Sequence, residues 1–228
     1  MRSLIFITLF ALSYQGYSQA FNSIVIKAGS DISGRTNVAT NKQDGNIVVG
    51  FVFTIEPNII NFGTKKQFNF NTDISIIQKG FQKEEKVYSY NEVGETLGIG
   101  SERYTFKLNY VALSPVLKYN FAKVLFIKAG PRVDILTGYN YKGSPSSDKR
   151  RGNEFYPLTG GITYGGGICL GKGNTKFIAE LMAQNDLSNS SYNSINKQHH
   201  RNFSYYINCG VSININKKSA TPAGVGAN

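Results

Sequence analysis

From Leu125 the chain reads LFIKAGPRVDI, and every second residue is apolar: Leu125, Ile127, Ala129, Pro131, Val133 and Ile135. The intervening row holds Lys128, Gly130, Arg132 and Asp134. A period of two with unlike faces predicts a β-strand. The same alternation recurs along the chain. Ile24, Ile26 and Ala28 interleave with Val25, Lys27 and Gly29, and Ile47, Val49, Phe51, Phe53 and Ile55 form one row of a second segment. Phe68, Phe70, Thr72, Ile74 and Ile76 interleave with Asn69, Asn71, Asp73 and Ser75. A fourth segment spans about 104–119, and LFIKAGPRVDI is the fifth. Ile162, Tyr164, Gly166, Ile168 and Leu170 mark the sixth, and Phe177, Ala179, Leu181 and Ala183 alternate with Glu180 and Gln184 in the seventh. In the eighth, alternate residues from Phe203 to Ile215 oppose Ser204, Asn208, Ser212 and Asn214. An even strand number lets an antiparallel sheet close with both termini on one side.

The connections alternate too. Gaps at 33–45, 81–102, 141–155 and 187–201 are long and polar, whereas those at 57–66, 120–123 and 171–174 are shorter. Long and short ends therefore fall on opposite rims, as in outer-membrane barrels. The eleven residues from Leu125 to Ile135 also match the roughly 9–11 that a tilted membrane strand needs.

Charge decides which face meets lipid. Lys128 or Arg132 turned to mid-bilayer would cost roughly 2–4 kcal/mol each. With the apolar row outward, every charge in the strand turns inward together. Inside it meets Lys27, Asp31, Glu56, Asp73, Lys107 and Glu180, which occupy the polar rows of their own strands. Mixed signs can pair, as buried charges must. The expected fold is all-β, an eight-stranded antiparallel up-and-down transmembrane β-barrel. Its expected lumen network is Lys27, Asp73, Lys128, Arg132, Asp134 and Glu180. Alternation alone also fits a soluble lipocalin-like barrel; loop asymmetry, strand length and the leader described next decide for the membrane. Tyr139 and Tyr141 should ring one rim and Tyr119 and Phe121 the other. Pro115 and Pro131 cannot donate to a ladder, so bulges are expected at both.

The first twenty residues, MRSLIFITLFALSYQGYSQA, have one cation, a short apolar run and small residues at the end, the plan of a secretory signal peptide. Cleavage falls after Ser18 or Ala20. The division expected is 1–20 signal peptide, 21–216 barrel and 217–228 polar periplasmic tail. The net charge of +11 points to an anionic neighbour, and export removes nucleic acid from the candidates. Outer-membrane lipid and lipopolysaccharide remain. Lys149, Arg150 and Arg151 of the third long connection, with Lys197 and Arg201 of the fourth, are the candidate lipopolysaccharide contacts, since Arg grips phosphate with parallel hydrogen bonds. The second long connection is acidic, with Glu84, Glu85, Glu92, Glu95 and Glu102. Cys169 and Cys209 fall on opposite rows and read as small strand residues.

Candidate chemistry is sparse. His199 and His200 are the only histidines, near Ser191 and Ser204, but a base must lie within hydrogen-bond reach of its nucleophile. Adjacent histidines on an extended segment point apart, and no third metal ligand is evident. Gly165, Gly166 and Gly167 precede no helix and read as a packing feature, not a phosphate loop. No catalytic residue, metal or cofactor is expected.

DISIIQKGF (73–81), LNYVALSPVLKYNF (108–121), IKAGPRVDIL (127–136) and GGITYGGGICLGKG (160–173) resemble the small porin-like outer-membrane β-barrel family of Bacteroidota. The resemblance implies an eight-stranded barrel, related to barrels that act in type IX protein secretion. Two features depart from the pattern: the last strand ends in Ile213 and Ile215 where a terminal aromatic is usual, and the polar stretch NKKSATPAGVGAN follows. The expectation is a non-enzymatic barrel with a side-chain-filled lumen. It would act through extracellular loops or periplasmic turns as a structural or interaction protein, with other envelope or secretion proteins among its partners. An outer-membrane lipid A-modifying enzyme and a narrow diffusion channel are the alternatives.

Overall fold

The alternating segments are strands: β1 (Ser23–Asn37), β2 (Asn46–Phe62), β3 (Phe68–Tyr90), β4 (Thr96–Asn120), β5 (Leu125–Lys142), β6 (Leu158–Leu170), β7 (Thr175–Asp186), β8 (Ser191–Asn193) and β9 (Gln198–Asn214). This computed structural model describes residues 22–63, 67–90, 96–122, 124–142, 155–171, 173–193 and 198–215. Neighbours pair antiparallel in chain order from β1 to β7, β7 pairs with β9, and β9 returns to β1. Eight strands thus close into a ring with no free edge. The ninth, β8, is a three-residue addition beside the start of β9. The expected leader at 1–20 and tail at 217–228 lie outside the described residues.

Along each strand the apolar row lines the outer wall. Leu181 is 63% exposed, Ile207 60% and Ile135 52%, whereas Lys27 and Arg132 on the opposite rows are 1% exposed. A soluble protein buries the first kind of residue and solvates the second. The inversion is what lipid outside requires, because the hydrocarbon, not the protein interior, receives the apolar side chains.

The structure moves several sequence boundaries. β3 and β4 pair from Phe68↔Tyr119 out to Tyr90↔Thr96, so most of 81–102, expected as loop, is a paired hairpin. Val87, Tyr88 and Tyr90 are of residue types that favour a pleated ladder. Lys107, expected in the lumen, lies on the outward row of β4. Tyr104, Phe106, Leu108 and Tyr110 take the buried inward positions, and Lys107 pairs opposite Gly80 and Asn140, beyond the apolar band.

Pro115 and Pro131 are not housed in bulges. β4 pairs with β5 up to Leu113↔Val133 and again from Leu117↔Ala129 without a register shift. On that register the two prolines fall opposite each other, and the ladder is interrupted between them. Each proline still aligns with its other neighbour, Thr72 or Ile162. A Cβ on Gly130 would come within 2.0 Å of the Pro115 carbonyl oxygen, so only glycine permits the close approach at this gap.

The β4–β5 bulge lies instead between Asn109↔Gly138 and Tyr110↔Leu136. One extra residue reverses which face the following side chains take. Tyr139 and Tyr141 thereby join the side of their partners Leu108 and Phe106, which are buried. Tyr141 stacks 5.9 Å from Tyr104, and Tyr139 tilts 5.9 Å from Phe155. The expected outer-rim tyrosines therefore cap the mouth. At the short-turn rim an outward aromatic row does form, with Phe62–Phe68, Phe68–Tyr119 and Tyr119–Phe121 centroids at 5.5, 4.9 and 6.4 Å.

Candidate functional site

The inward rows converge on three polar layers. Nearest the short turns, Lys27 donates to Glu56 and, at 2.9 Å, to Glu180 Oε2, with Asp73 Oδ1 at 3.8 Å. Lys128 Nζ reaches Asp73 Oδ2 at 2.8 Å, Glu56 Oε2 at 3.1 Å and Glu180 Oε1 at 3.1 Å. Lys118 adds a third ammonium, 3.9 Å from Glu56 Oε1 and 3.7 Å from the centroid of the Phe126 ring. Each carboxylate in this layer has a cation to match it.

A second layer lies further up. Lys79 Nζ donates to Asp134 Oδ2 at 2.6 Å and stands 3.7 Å from Asp186 Oδ1. Arg132 Nε lies 2.9 Å from Asp134 Oδ1, and its Nη2 binds Asp186. Asp186 Oδ2 also accepts from the Asn202 N–H at 3.1 Å. These groups are buried, so removing one partner would strand its mate in a low-dielectric interior.

The third layer closes the mouth. Arg35 pairs with Asp44 of the β1–β2 connection, and His200 Nε2 of β9 stands 3.0 Å from Asp44 Oδ2. The Arg35 guanidinium lies 3.8 Å from the centroid of the Phe81 ring, within cation–π range. Phe106 and Phe155 pack beside Phe81 at 4.8 and 6.4 Å. Contact with the His200 imidazole, then the Arg35 charge, holds the Asp44 carboxyl below its ordinary range against the opposing effect of partial burial.

β6 makes room for this interior. Its inward row is Thr159, Gly161, Thr163, Gly165, Gly167 and Cys169. A Cβ on Gly167 would sit 2.8 Å from the Phe126 ring, one on Gly165 2.7 Å from Met182 Sδ, and one on Gly161 2.9 Å from Arg132 Nη2. The glycine run is a wall with its side chains removed, against which long side chains of β5 and β7 lie.

The sequence-derived network is thus divided. Lys27, Asp73, Lys128 and Glu180 meet in the first layer, while Arg132 and Asp134 belong to the second. Lys79, Lys118 and Asp186 were not anticipated, although parity alone marks them: Lys79 follows Asp73 by six residues, Asp186 follows Glu180 by six, and Lys118 follows Ser114 by four. Asp31 is buried on the same face. Arg201 is exposed and pairs opposite Thr36. Lys149, Arg150, Arg151 and Lys197 lie outside the described residues, as do Glu92, Glu95 and the side chains of Glu85 and Glu102.

His200 is 1% exposed and inside the mouth. Ser190 Oγ donates to its backbone carbonyl at 3.0 Å. Among the described residues, neither Ser191 nor Ser204 offers a hydroxyl bonded to its ring. The cysteines are unbonded, Cys209 facing outward and Cys169 packed on Val25, Phe126 and Ile178.

A closed antiparallel ring with an apolar outer wall and ion-paired interior is a transmembrane β-barrel of the outer-membrane type. The chain belongs to the family described as "Outer membrane protein beta-barrel domain", whose sequence profile it matches over residues 15–226. Its location is the cell outer membrane. No curated protein matches it significantly. Among solved structures it is similar to Ail, the attachment invasion locus protein of Yersinia pestis, in complex with the heparin analogue sucrose octasulfate (11% identity, TM-score 0.40, 84% of this chain and 98% of that one). It is also similar to Neisserial surface protein A (11%, TM-score 0.46, 84% and 97%) and to the outer membrane protease OmpT of Escherichia coli (7%, TM-score 0.34, 85% and 96%). No role is carried over from these likenesses.

Proposed function

We propose that the protein is a non-enzymatic barrel whose lumen is closed by paired charges and whose work is done at its two rims, as a structural or interaction component of the envelope. The observation that supports this is the layer of Lys27, Lys128, Glu56, Asp73 and Glu180, contributed by five strands and meeting across the lumen. An eight-stranded barrel has an interior that side chains just fill, and a cation that left its carboxylates to admit solute would lose its pairing. On this reading the resemblance to small barrels of type IX secretion makes a secretion partner one candidate. The leader at 1–20 would direct export, and the outer loops, with Arg201 and the basic residues at 149–151 and 197, would meet lipopolysaccharide. Purified barrel in planar bilayers should show no stepwise single-channel current. Regular steps that persist after detergent controls would turn the reading to a narrow channel.

A further inference from the structure

Below the lowest ion-paired layer, at the short-turn rim, lies a cavity of about 310 Å³. Its wall is unusually rich in amides. Asn58 donates to Asn61 Oδ1 at 2.9 Å, Asn69 also donates to Asn61, and Asn120 donates to the Gln67 carbonyl at 3.1 Å. Asn71 donates to Glu56 in the floor. Among the described residues, Asn58 Oδ1 and Asn71 Oδ1 accept no hydrogen bond, and Asn71 is only 2% exposed. Both oxygens are themselves sealed, and the amides of Asn22, Asn61, Asn69, Asn120 and Asn214 beside them complete a lining that can both donate and accept. Charge adds a second requirement. Glu56, the only carboxylate among the described lining residues, is engaged by Lys27, Lys128, Lys118 and Asn71, while Lys176 also lines the space. Val25, Val124 and Ile178 supply apolar wall.

We infer that this vestibule binds an N-acetylated amino sugar bearing a carboxylate. Sugar hydroxyls and the acetamido group both donate and accept, as the asparagine wall does. The carboxylate answers Lys176, ring C–H groups lie on the aliphatic wall, and the volume is at the lower end of small-ligand sites. By the usual orientation of outer-membrane barrels the short turns face the periplasm, the compartment in which such a glycan would be met. The inference rests on the closed-lumen reading because the first ion-paired layer forms the floor of the site. Conductance tests the floor and glycan binding tests the pocket, so the two fail separately.

The test is calorimetric titration of the full chain, folded in detergent, with N-acetylglucosaminyl-N-acetylmuramic acid, with di-N-acetylchitobiose, which lacks the carboxylate, and with a muramyl-type stem peptide lacking sugar. The expected order is saturable binding of the acidic disaccharide, binding of chitobiose weaker by about tenfold, and none of the peptide. Asn58→Leu should weaken the acidic disaccharide by about tenfold, the scale of one hydrogen bond, with the heat-modifiable gel shift of the folded barrel unchanged. Lys176→Gln should erase the preference for the carboxylate while leaving chitobiose binding intact. No saturable binding into the millimolar range, binding indifferent to Asn58→Leu, or equal binding of the sugar-free peptide would each overturn the inference.

Discussion

Arg132 of β5 reaches Asp186 of β7 across Gly161 of β6: the three residues lie on one register line, Arg132↔Gly161 and Gly161↔Asp186, and the guanidinium binds the carboxylate over the bare backbone between them. Arg132→Leu should therefore leave Asp186 short of its partner and destabilise the barrel by about 3–5 kcal/mol, while Arg132→Leu with Asp186→Leu should recover part of the loss. Gly161→Val should be as damaging as Arg132→Leu, since its Cβ would also meet the Asn185 carbonyl oxygen at 2.3 Å. Heat-modifiability on gels and thermal circular dichroism in detergent measure all three variants. A wild-type melting profile for Arg132→Leu would remove this pair from the account of stability.

The outer wall makes the opposite demand. Leu181, on the same strand as Glu180 but 63% exposed, faces lipid. Leu181→Arg should cost roughly 2–4 kcal/mol if it lies near mid-bilayer and correspondingly less near a rim. It should reduce the folded fraction recovered from outer-membrane preparations. Equal recovery of Leu181→Arg and wild type would show that the wall is not in hydrocarbon.

Orientation can be read with thiols. In a Cys169→Ser, Cys209→Ser background, Ala39→Cys in the β1–β2 connection should react with an impermeant maleimide on intact cells. Asn174→Cys in the β6–β7 turn should react only after the outer membrane is permeabilised. The reverse pattern would invert the barrel and place the asparagine-lined cavity outside the cell.

Acid should open the mouth only late. The Asp44 carboxyl is held below its ordinary range, so its contribution to stability is present above the unfolded value of about 3.9 and is lost as pH falls through the lower folded value. Hydrogen exchange in residues 38–45, corrected for intrinsic rates, should stay slow from pH 7 to about 4 and rise below that. Asp44→Asn should raise it at neutral pH. Exchange in the wild type that already increases well above pH 4 would mean that the Asp44 contacts do not hold the segment.

For the outer loops, Arg150→Glu with Arg151→Glu should lower the lipopolysaccharide that co-purifies, and high salt should do the same, because exposed charges are screened within about 8–10 Å. Unchanged lipid in the double variant would leave these arginines as solvated charge and shift attention to the opposite rim.

The strand ring, the inside-out choice of faces and the inward position of Lys27, Asp73, Lys128, Arg132, Asp134 and Glu180 were legible in the amino-acid order, because period-two alternation and the cost of a charge in lipid act within one strand. Parity would equally have shown Lys79 and Asp186. Parity could not say which charge meets which. Lys27 and Lys128 share Glu56 and Glu180, while Arg132 turns to Asp134 and Asp186. Those choices depend on the stagger of strands that are far apart in sequence. Nor does alternation reveal where it breaks. The residue inserted between Leu136 and Gly138 turns Tyr139 and Tyr141 inward, and the opposed prolines Pro115 and Pro131 share an unladdered seam. Both follow from the register between two strands. The asparagine cavity has the same origin: Asn58, Asn69 and Asn120 come from β2, β3 and β4, and only closure of the ring gathers their amides around one space. A local pattern sets the face on which a side chain stands, but its neighbours across the lumen are set by register and curvature, which are properties of the whole sheet.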